Sequence, residues 1–399
     1  MGDRLTVGQW PLKPLILVRF QVPQHLFRRV AQIIMFLLNH IRNFYDRFEH
    51  HISSFFLFAG FLFDTLTLKR VDALFENLSI LGYLLIIGVF ITLTHLKETE
   101  AGGERNPGTA HFWYVNILQF AFGGVFSAYL VLYFRSADFF VAWPFILLLV
   151  AIFIANEFLK KHYVRLSFQI SLFFLSIYWF AIFLVPVVMH RIGTWVFLFS
   201  GLVSLLVIAL FNKILFNFIK DKFAQSKKLI LLLISGIFIL VNFLYFTNLI
   251  PPIPLSLKDA GIYHSIEKNS NANERNYEVS YEDRDWKEYF ILYPDFQATP
   301  GSAVYAFSAI FSPKNLNINI LHEWQHWDLV EGEWTTERLI KLPVIGGRDG
   351  GFRTFSARTN LASGKWRVNV KTEQGQIIGR LRFNIVPAEV EPELKTKIK

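Results

Sequence analysis

Residues 229–254 read LILLLISGIFILVNFLYFTNLIPPIP, an apolar run closed by Pro251, Pro252 and Pro254. At 1.5 Å per helical residue such a run crosses the roughly 30 Å hydrocarbon core of a bilayer. The prolines end it, because proline lacks the amide donor and disfavours helix in the residue before it. Upstream the chain repeats this apolar texture. Downstream it changes period and becomes polar. The prolines therefore divide a membrane part from a soluble part.

Working upstream, seven apolar segments lie at 52–68, 78–95, 112–134, 138–158, 167–189, 192–211 and 229–250. They predict an α-helical polytopic membrane domain over 51–250, with about seven transmembrane helices. Composition agrees: 53% of the chain is hydrophobic and 18% charged, against roughly 25% charged in soluble domains. Residues 1–50 read as a basic, amphipathic cytoplasmic segment, with Val30, Ile33, Ile34, Leu37, Leu38 and Ile41 on the face laid against the membrane. Trp113-Tyr114, Tyr178-Trp179 and Trp195 sit near predicted ends, as in an interfacial belt. Gly123, Gly124, Ser127 and Ala128 favour close helix packing. Asp64 is the one carboxylate deep in a predicted span. It is either a functional group or an interfacial partner of Lys69 or Arg70.

Basic residues set the orientation. The N-terminal segment and the loops after spans two, four and six carry seventeen Lys and Arg, against four on the other side. The positive-inside rule then places the N-terminus in the cytoplasm and everything after Pro251 outside it. The formal charge of +9 lies wholly within residues 1–250, so no separate basic patch suggests nucleic acid. There is no cysteine, which excludes disulfides, thiolate catalysis and Cys-ligated metals.

Residues 251–286 are polar and rich in Asn and Glu, and read as a flexible linker or stalk. From 287 the period becomes two. Tyr305, Phe307 and Ala309 alternate with their neighbours, as do Trp366, Val368 and Val370, and Leu381, Phe383 and Ile385. Gln374-Gly375 reads as a hairpin turn. Six or seven short strands over 287–387 predict an all-β sandwich of immunoglobulin-like type, followed by a charged tail at 388–399.

His322-Glu323-Trp324-Gln325-His326 matches the zincin pattern. That chemistry needs a helix, where both imidazoles share one face beside the metal. Asn317-Ile318-Asn319-Ile320 before it alternates as a strand does. A zinc metalloprotease using His322, Glu323 and His326 is thus the alternative reading, and a chance match in a sheet the leading one. Gly346-Gly347-Arg348-Asp349-Gly350-Gly351 lacks the ending of a phosphate loop and reads as a mobile turn. Arg348, Arg353 and Arg358 nearby are candidates to hold an anionic group together. Trp324 and Trp327 stand at odd spacing, so one of them faces outward. An outward Trp beside His suits stacking on a sugar or anchoring a partner.

The C-terminal segment resembles a bacterial family catalogued as domain of unknown function 2914. The residues that carry this are His322-x-Trp324, Gly347-Arg348, Gly351-Phe352-Arg353-Thr354-Phe355-Ser356, Gly364-x-Trp366-Arg367-Val368, the Gly375 turn and Phe383-Asn384-Ile385-Val386. Gly60 to Leu68 is similar to the membrane part that often accompanies it. The resemblance implies a soluble β domain on a membrane or secreted bacterial protein, with no activity assigned. The expectation is a non-enzymatic protein of the bacterial inner membrane, without cofactor. Its periplasmic domain would bind a protein partner or an envelope polysaccharide through His322, Trp324, Arg353 and Ser356. Transport or signalling through the helices, with Asp64 as its polar group, is a further alternative.

Overall fold

The computed structural model describes residues 60–68, 72–100, 109–136, 139–159, 162–268, 276–283, 291–390 and 392–399. All of these belong to Leu57–Lys399, one of the two units into which the chain divides. The N-terminal segment 1–50 lies outside the described residues. So do Lys69 and Arg70, the partners expected for Asp64.

Residues 60–67 form helix α1. It is followed by α2 (Leu74–Glu100), α3 (Thr109–Ser136), α4 (Phe139–Phe158), α5 (Leu166–Met189), α6 (Thr194–Phe218) and α7 (Lys220–Phe246). Five of these, α2, α3, α5, α6 and α7, are long and apolar enough to cross a membrane, and α4 contributes a shorter apolar stretch, Ala142–Asn156. The helices α3 and α5 are mostly buried and form the centre of the bundle. The others turn Leu, Ile and Phe side chains outward, for example Leu206, Leu210, Leu232 and Phe243, as contact with lipid requires. Tyr83 packs onto Gly124 so closely that a Cβ there would sit 2.7 Å from its ring. This explains the small residues on α3. Trp179 corrects the belt reading: it is buried among Tyr129, Tyr133 and Phe145. Trp195, by contrast, is 84% exposed. The expected loop at 212–228 is also absent. Helices α6 and α7 meet at Ile219 alone, so Lys213, Lys220, Lys222, Lys227 and Lys228 ride on helix ends, where long basic side chains reach the interface.

The stalk reading fails as well. Residues 251–286 carry β1 (Ser256–Tyr263), β2 (Ser265–Lys268) and β3 (Tyr277–Glu282). The remaining strands are β4 (Asp295–Ala298), β5 (Ala303–Phe311), β6 (Ile318–Asp328), β7 (Glu333–Val344), β8 (Phe352–Thr359), β9 (Gly364–Thr372), β10 (Ile377–Pro387) and β11 (Leu394–Ile398). The last lies in the supposed charged tail and pairs with β3. The strands form three sheets, with orders β1-β5-β8, β4-β10-β9-β6-β7 and β11-β3-β2. All pairs are antiparallel except β4 with β10.

The β1-β5-β8 sheet is the middle layer. On one side Val304 and Ala306 of β5 join Trp324, Trp366, Val368 and Phe383 of the five-stranded sheet. On the other side Phe307 and Ala309 join Ile266 and Val279 of the third sheet. A strand covered on both faces carries a near-continuous apolar run, and β5 reads AVYAFSAIF.

The helices and the β region meet at one end. Ile192, in the α5–α6 turn, packs with Leu255, Ile310, Ile320 and Val370. The backbone N–H of Lys314 donates to Asp72, just before α2, at 3.4 Å.

The glycine-rich turn is packed rather than mobile. A Cβ at Gly346 would lie 2.0 Å from the Pro313 oxygen, and one at Gly351, whose φ is +83°, 2.8 Å from the Ala309 carbonyl carbon. Gly351→Ala is expected to cost about 2–4 kcal/mol, through a backbone clash with β5 and an unfavourable φ. Denaturation of the full chain followed by tryptophan fluorescence checks this. An unfolding midpoint equal to wild type would refute it.

Candidate functional site

Strand β6 decides the site, because alternate residues point to opposite sides of the sheet. His322, Trp324 and His326 face inward, and Glu323, Gln325 and Trp327 face outward.

The inward set is a closed polar knot in the core. His322 and Trp324 are 0% exposed, and Ser356 of β8 and Ser308 of β5 are buried beside them. The His322 Nε2 lies 2.9 Å from Ser308 Oγ and its Nδ1 lies 2.8 Å from Ser356 Oγ. Trp324 donates its indole N–H to Ser356 Oγ at 3.0 Å. Both ring nitrogens of His322 are thus occupied, as burial of an imidazole demands. Burial pushes the His322 pKa down to about 4, so the ring is neutral at pH 7.

This corrects two expectations. His322, Trp324 and Ser356 are sealed between sheets and offer no contact to a partner. The His-Glu-x-x-His spacing lies in a strand, where residues four apart are separated by roughly 13 Å. His326 instead tilts against Trp366, with ring centroids 4.7 Å apart. Glu323 points to the opposite face, so the zincin geometry is not formed. Among the described residues no three His, Cys, Asp or Glu side chains gather as a metal would need. Arg353 lies elsewhere, with its Nη1 donating to Asn276 Oδ1 at 2.7 Å.

The outward face of the five-stranded sheet is different in kind. Glu323 accepts from Lys371 Nζ at 2.6 Å and from Asn369 Nδ2 at 2.9 Å. Burial raises its pKa, but these bonds, the Lys371 charge and Thr336 hold it below the ordinary carboxylate range. Gln325 Oε1 accepts from Arg367 Nε at 2.6 Å, and Asn369 Oδ1 accepts from Arg380 Nε at 2.6 Å. The Arg367 guanidinium lies over Trp334, 4.2 Å from its centroid, and Trp334 stacks on Tyr293. Burial, then the charges of Arg380 and Arg382, pull the Arg367 pKa down to about 10. It remains charged at neutral pH within a positive field. Lys341, Lys365, Arg367, Lys371, Arg380 and Arg382 stand on this face, by the pairing registers, against Glu323, Asp295 and Glu373, which pairs with Lys341 at 2.5 Å.

Residues 317–385 match the family described as Protein of unknown function (DUF2914). The DUF2914 segment runs from the start of β6 into β10. It therefore supplies almost all of the basic face, along with His322, Trp324, Arg353 and Ser356. It includes none of the helices and none of β1 to β5. No curated protein matches the chain. Among solved structures, a β-glucosidase from Listeria innocua in complex with isofagomine is similar at 9% identity, over 35% of this chain and 17% of that one, with a TM-score of 0.19. The Pseudomonas fluorescens alkylpurine DNA glycosylase AlkC, bound to DNA containing an abasic site analog, is similar at 8% identity, over 79% and 99%, with a TM-score of 0.20. The chain thus spans about a sixth of the β-glucosidase. Scores this low carry no inference about fold or function.

Within the bundle, Asp64 is 8% exposed on α1. A polar chain, only part of which was read from the residues, links four helices elsewhere. His95 Nε2 meets Gln169 Oε1 at 3.0 Å. Gln169 donates to the Tyr163 carbonyl, and Tyr163 donates to Asn156 Oδ1. Asn156 and Gln119 exchange side-chain to backbone bonds at 3.3 and 3.4 Å. Each member is buried and bonded, which is how polar groups survive between membrane helices.

Sequence reasoning missed Arg367, Arg380, Arg382 and Trp334. The signal was present in the polar half of each alternating run, where Arg367, Asn369 and Lys371 share one face.

The buried histidine makes a pH prediction. In the unfolded chain His322 takes a proton below about pH 6.5, whereas in the fold it resists until about pH 4. The stability it contributes is complete above pH 6.5 and is lost as pH falls toward 4, by on the order of 3 kcal/mol. The protection of β6 amides in the full chain, taken from hydrogen exchange corrected for the intrinsic pH dependence of the exchange rate, should fall across that window and stay flatter in His322→Gln. Equal acid sensitivity in both chains would remove His322 as the cause.

Proposed function

We propose that this membrane protein holds its β region on the periplasmic side of a bacterial inner membrane, as a binding module and not an enzyme. The ligand is an acidic envelope polysaccharide, held on the outward face of the five-stranded sheet. The single observation that carries the reading is Arg367, fixed through Nε to Gln325 and backed by Trp334. Its fork is pre-oriented for a carboxylate or phosphate, and an anchored guanidinium loses little entropy on binding. The flanking amides and hydroxyl of Gln325, Asn369 and Thr336 suit sugar hydroxyls. The polar knot around His322 has no solvent access.

Two further points support the placement. The base asymmetry directs the region beyond Pro251 outward. Asp72, Ile192 and Leu255 all meet the same end of the β region, as connections on one side of a bilayer should. An immunoglobulin-like arrangement of the middle and five-stranded sheets is supported by β5 and β8 facing β6, β9 and β10, with buried Trp324 between them.

Two measurements test this. A reporter enzyme that matures only outside the cytoplasm, inserted in the exposed turn at Leu329–Gly332, is expected to be active. Activity confined to cytosolic reporters would overturn the placement. Full-length protein in nanodiscs should retain a polyuronate at low salt. Arg367→Ala with Arg380→Ala should weaken that retention about tenfold or more. Unchanged retention in the double variant would overturn the binding face, and selective capture of an acidic protein would overturn the polysaccharide assignment.

A further inference from the structure

The glycine-rich turn that follows β7 does something the outward face does not. It brings Arg348 to a cleft of about 140 Å³ whose lining includes Arg353, Tyr277, Phe352 and Thr354. Arg348 lies over the Phe352 ring, 5.8 Å from its centroid, and donates no hydrogen bond to a described residue. Arg353 is steadied by Asn276. None of the described residues lining the cleft is acidic. Arg358, grouped with these two on sequence grounds, is not part of it. It lies five residues further along β8, roughly 16 Å away in a strand, over Trp366 and beside Glu337.

The place of this cleft in the fold is the decisive fact. Gly347 donates its N–H to the Ser312 carbonyl, and a Cβ on it would lie 3.6 Å from the Lys314 side chain. Lys314 in turn bonds through its backbone to Asp72, two residues before α2. Leu74 and Phe75, which open α2, are 74% and 68% exposed, as lipid-facing residues are. Asp72 therefore marks the level at which the chain leaves the apolar layer, and the arginine turn sits beside it. Ile345 in the same turn is 52% exposed, an apolar side chain at the height of the lipid surface.

We infer that Arg348 and Arg353 form a site for the phosphate of an anionic phospholipid headgroup, at the foot of the β region. A guanidinium pair matches phosphate oxygens in a planar fork. A basic side chain near an anionic leaflet gains on the order of fivefold in affinity each. The cleft exceeds the roughly 30 Å³ share of one water several-fold, enough for a phosphate group. The bound lipid would fix the tilt of the β region on its anchor. This rests on the membrane reading of the helices and is independent of the polysaccharide assigned to the other face.

The test uses the full chain, purified in mild detergent and exposed to phosphatidylglycerol or phosphatidylethanolamine, with retained lipid read by native mass spectrometry. Wild type should hold phosphatidylglycerol preferentially. The Arg348→Gln/Arg353→Gln variant should lose that preference by about tenfold or more, while Lys365→Gln keeps it. Retention unchanged in the double variant overturns the site. Inorganic phosphate binding that the same variant abolishes, with lipid retention intact, overturns the lipid assignment. A wild-type chain that retains neither lipid and floats with no vesicle refutes the membrane reading and the site together. Thermal melts of both variants identify misfolding. If the double variant is unfolded, Arg348→Gln alone decides, since the Arg348 residue is exposed and the hydrogen bond it accepts from Gly351 is made by its backbone carbonyl, which the substitution keeps.

Discussion

Everything in the β region leans on one strand having both its faces covered. Strand β5 gives Val304 and Ala306 to the core shared with the five-stranded sheet, and Phe307 and Ala309 to the core shared with the small third sheet. Burial of each such side chain contributes about 1.5–3 kcal/mol for the larger ones. Two cores that share a strand form together, so the outer sheets are registered to each other through β5. The fixed spacing of the outward Arg, Lys and amide array follows from the pairing register of its strands. The knot at His322 follows from the registration of the sheets, since its partners Ser308 and Ser356 come from the opposite sheet.

The membrane half obeys a different constraint. Lipid offers no hydrogen bonds, so polar groups must find each other. The chain from His95 through Gln169, Tyr163 and Asn156 to Gln119 does this among α2, α3, α4 and α5. It keeps the bundle specific where apolar contacts alone would let helices slide. At the other end of the bundle, Ile192 and Leu255 carry the packing from helix turns into the sheet core. The anchor and the β region are thereby joined by side-chain packing as well as by the Pro251–Pro254 segment.

Much of this was legible in the sequence, and the failures have physical causes. Apolar length announced the long helices. Period-two alternation located β5, β9 and β10, and the turn at Gln374-Gly375 follows β9 as read. The strands at 256–282 were invisible because they are short and partly polar. Their apolar members, Tyr263, Ile266 and Val279, are spread among charged neighbours and gain meaning only once β5 covers them. The extent of α7 was misjudged because Lys220, Asp221, Lys222, Lys227 and Lys228 look like a loop, while helix tolerates them at its solvated end. At the candidate site, attention went to His322 and Trp324, which are rare residue types in a motif. Their rarity reflects a buried hydrogen-bond knot. The chemistry that faces outward is carried by ordinary Arg, Lys and Asn whose placement only the pairing register reveals.

The boundary of the DUF2914 match carries a practical lesson about which piece of the chain is a self-sufficient module. The match opens at residue 317, after β5 has ended at Phe311. An excision at that point would remove β1 and β5, two of the three strands that oppose β6, β9 and β10, and would leave β8 without the strand it pairs with. The unit of inheritance detected by similarity is therefore smaller than the unit of folding. A fragment meant to stand alone in solution has to begin upstream of Leu255, where the first strand of the middle layer starts.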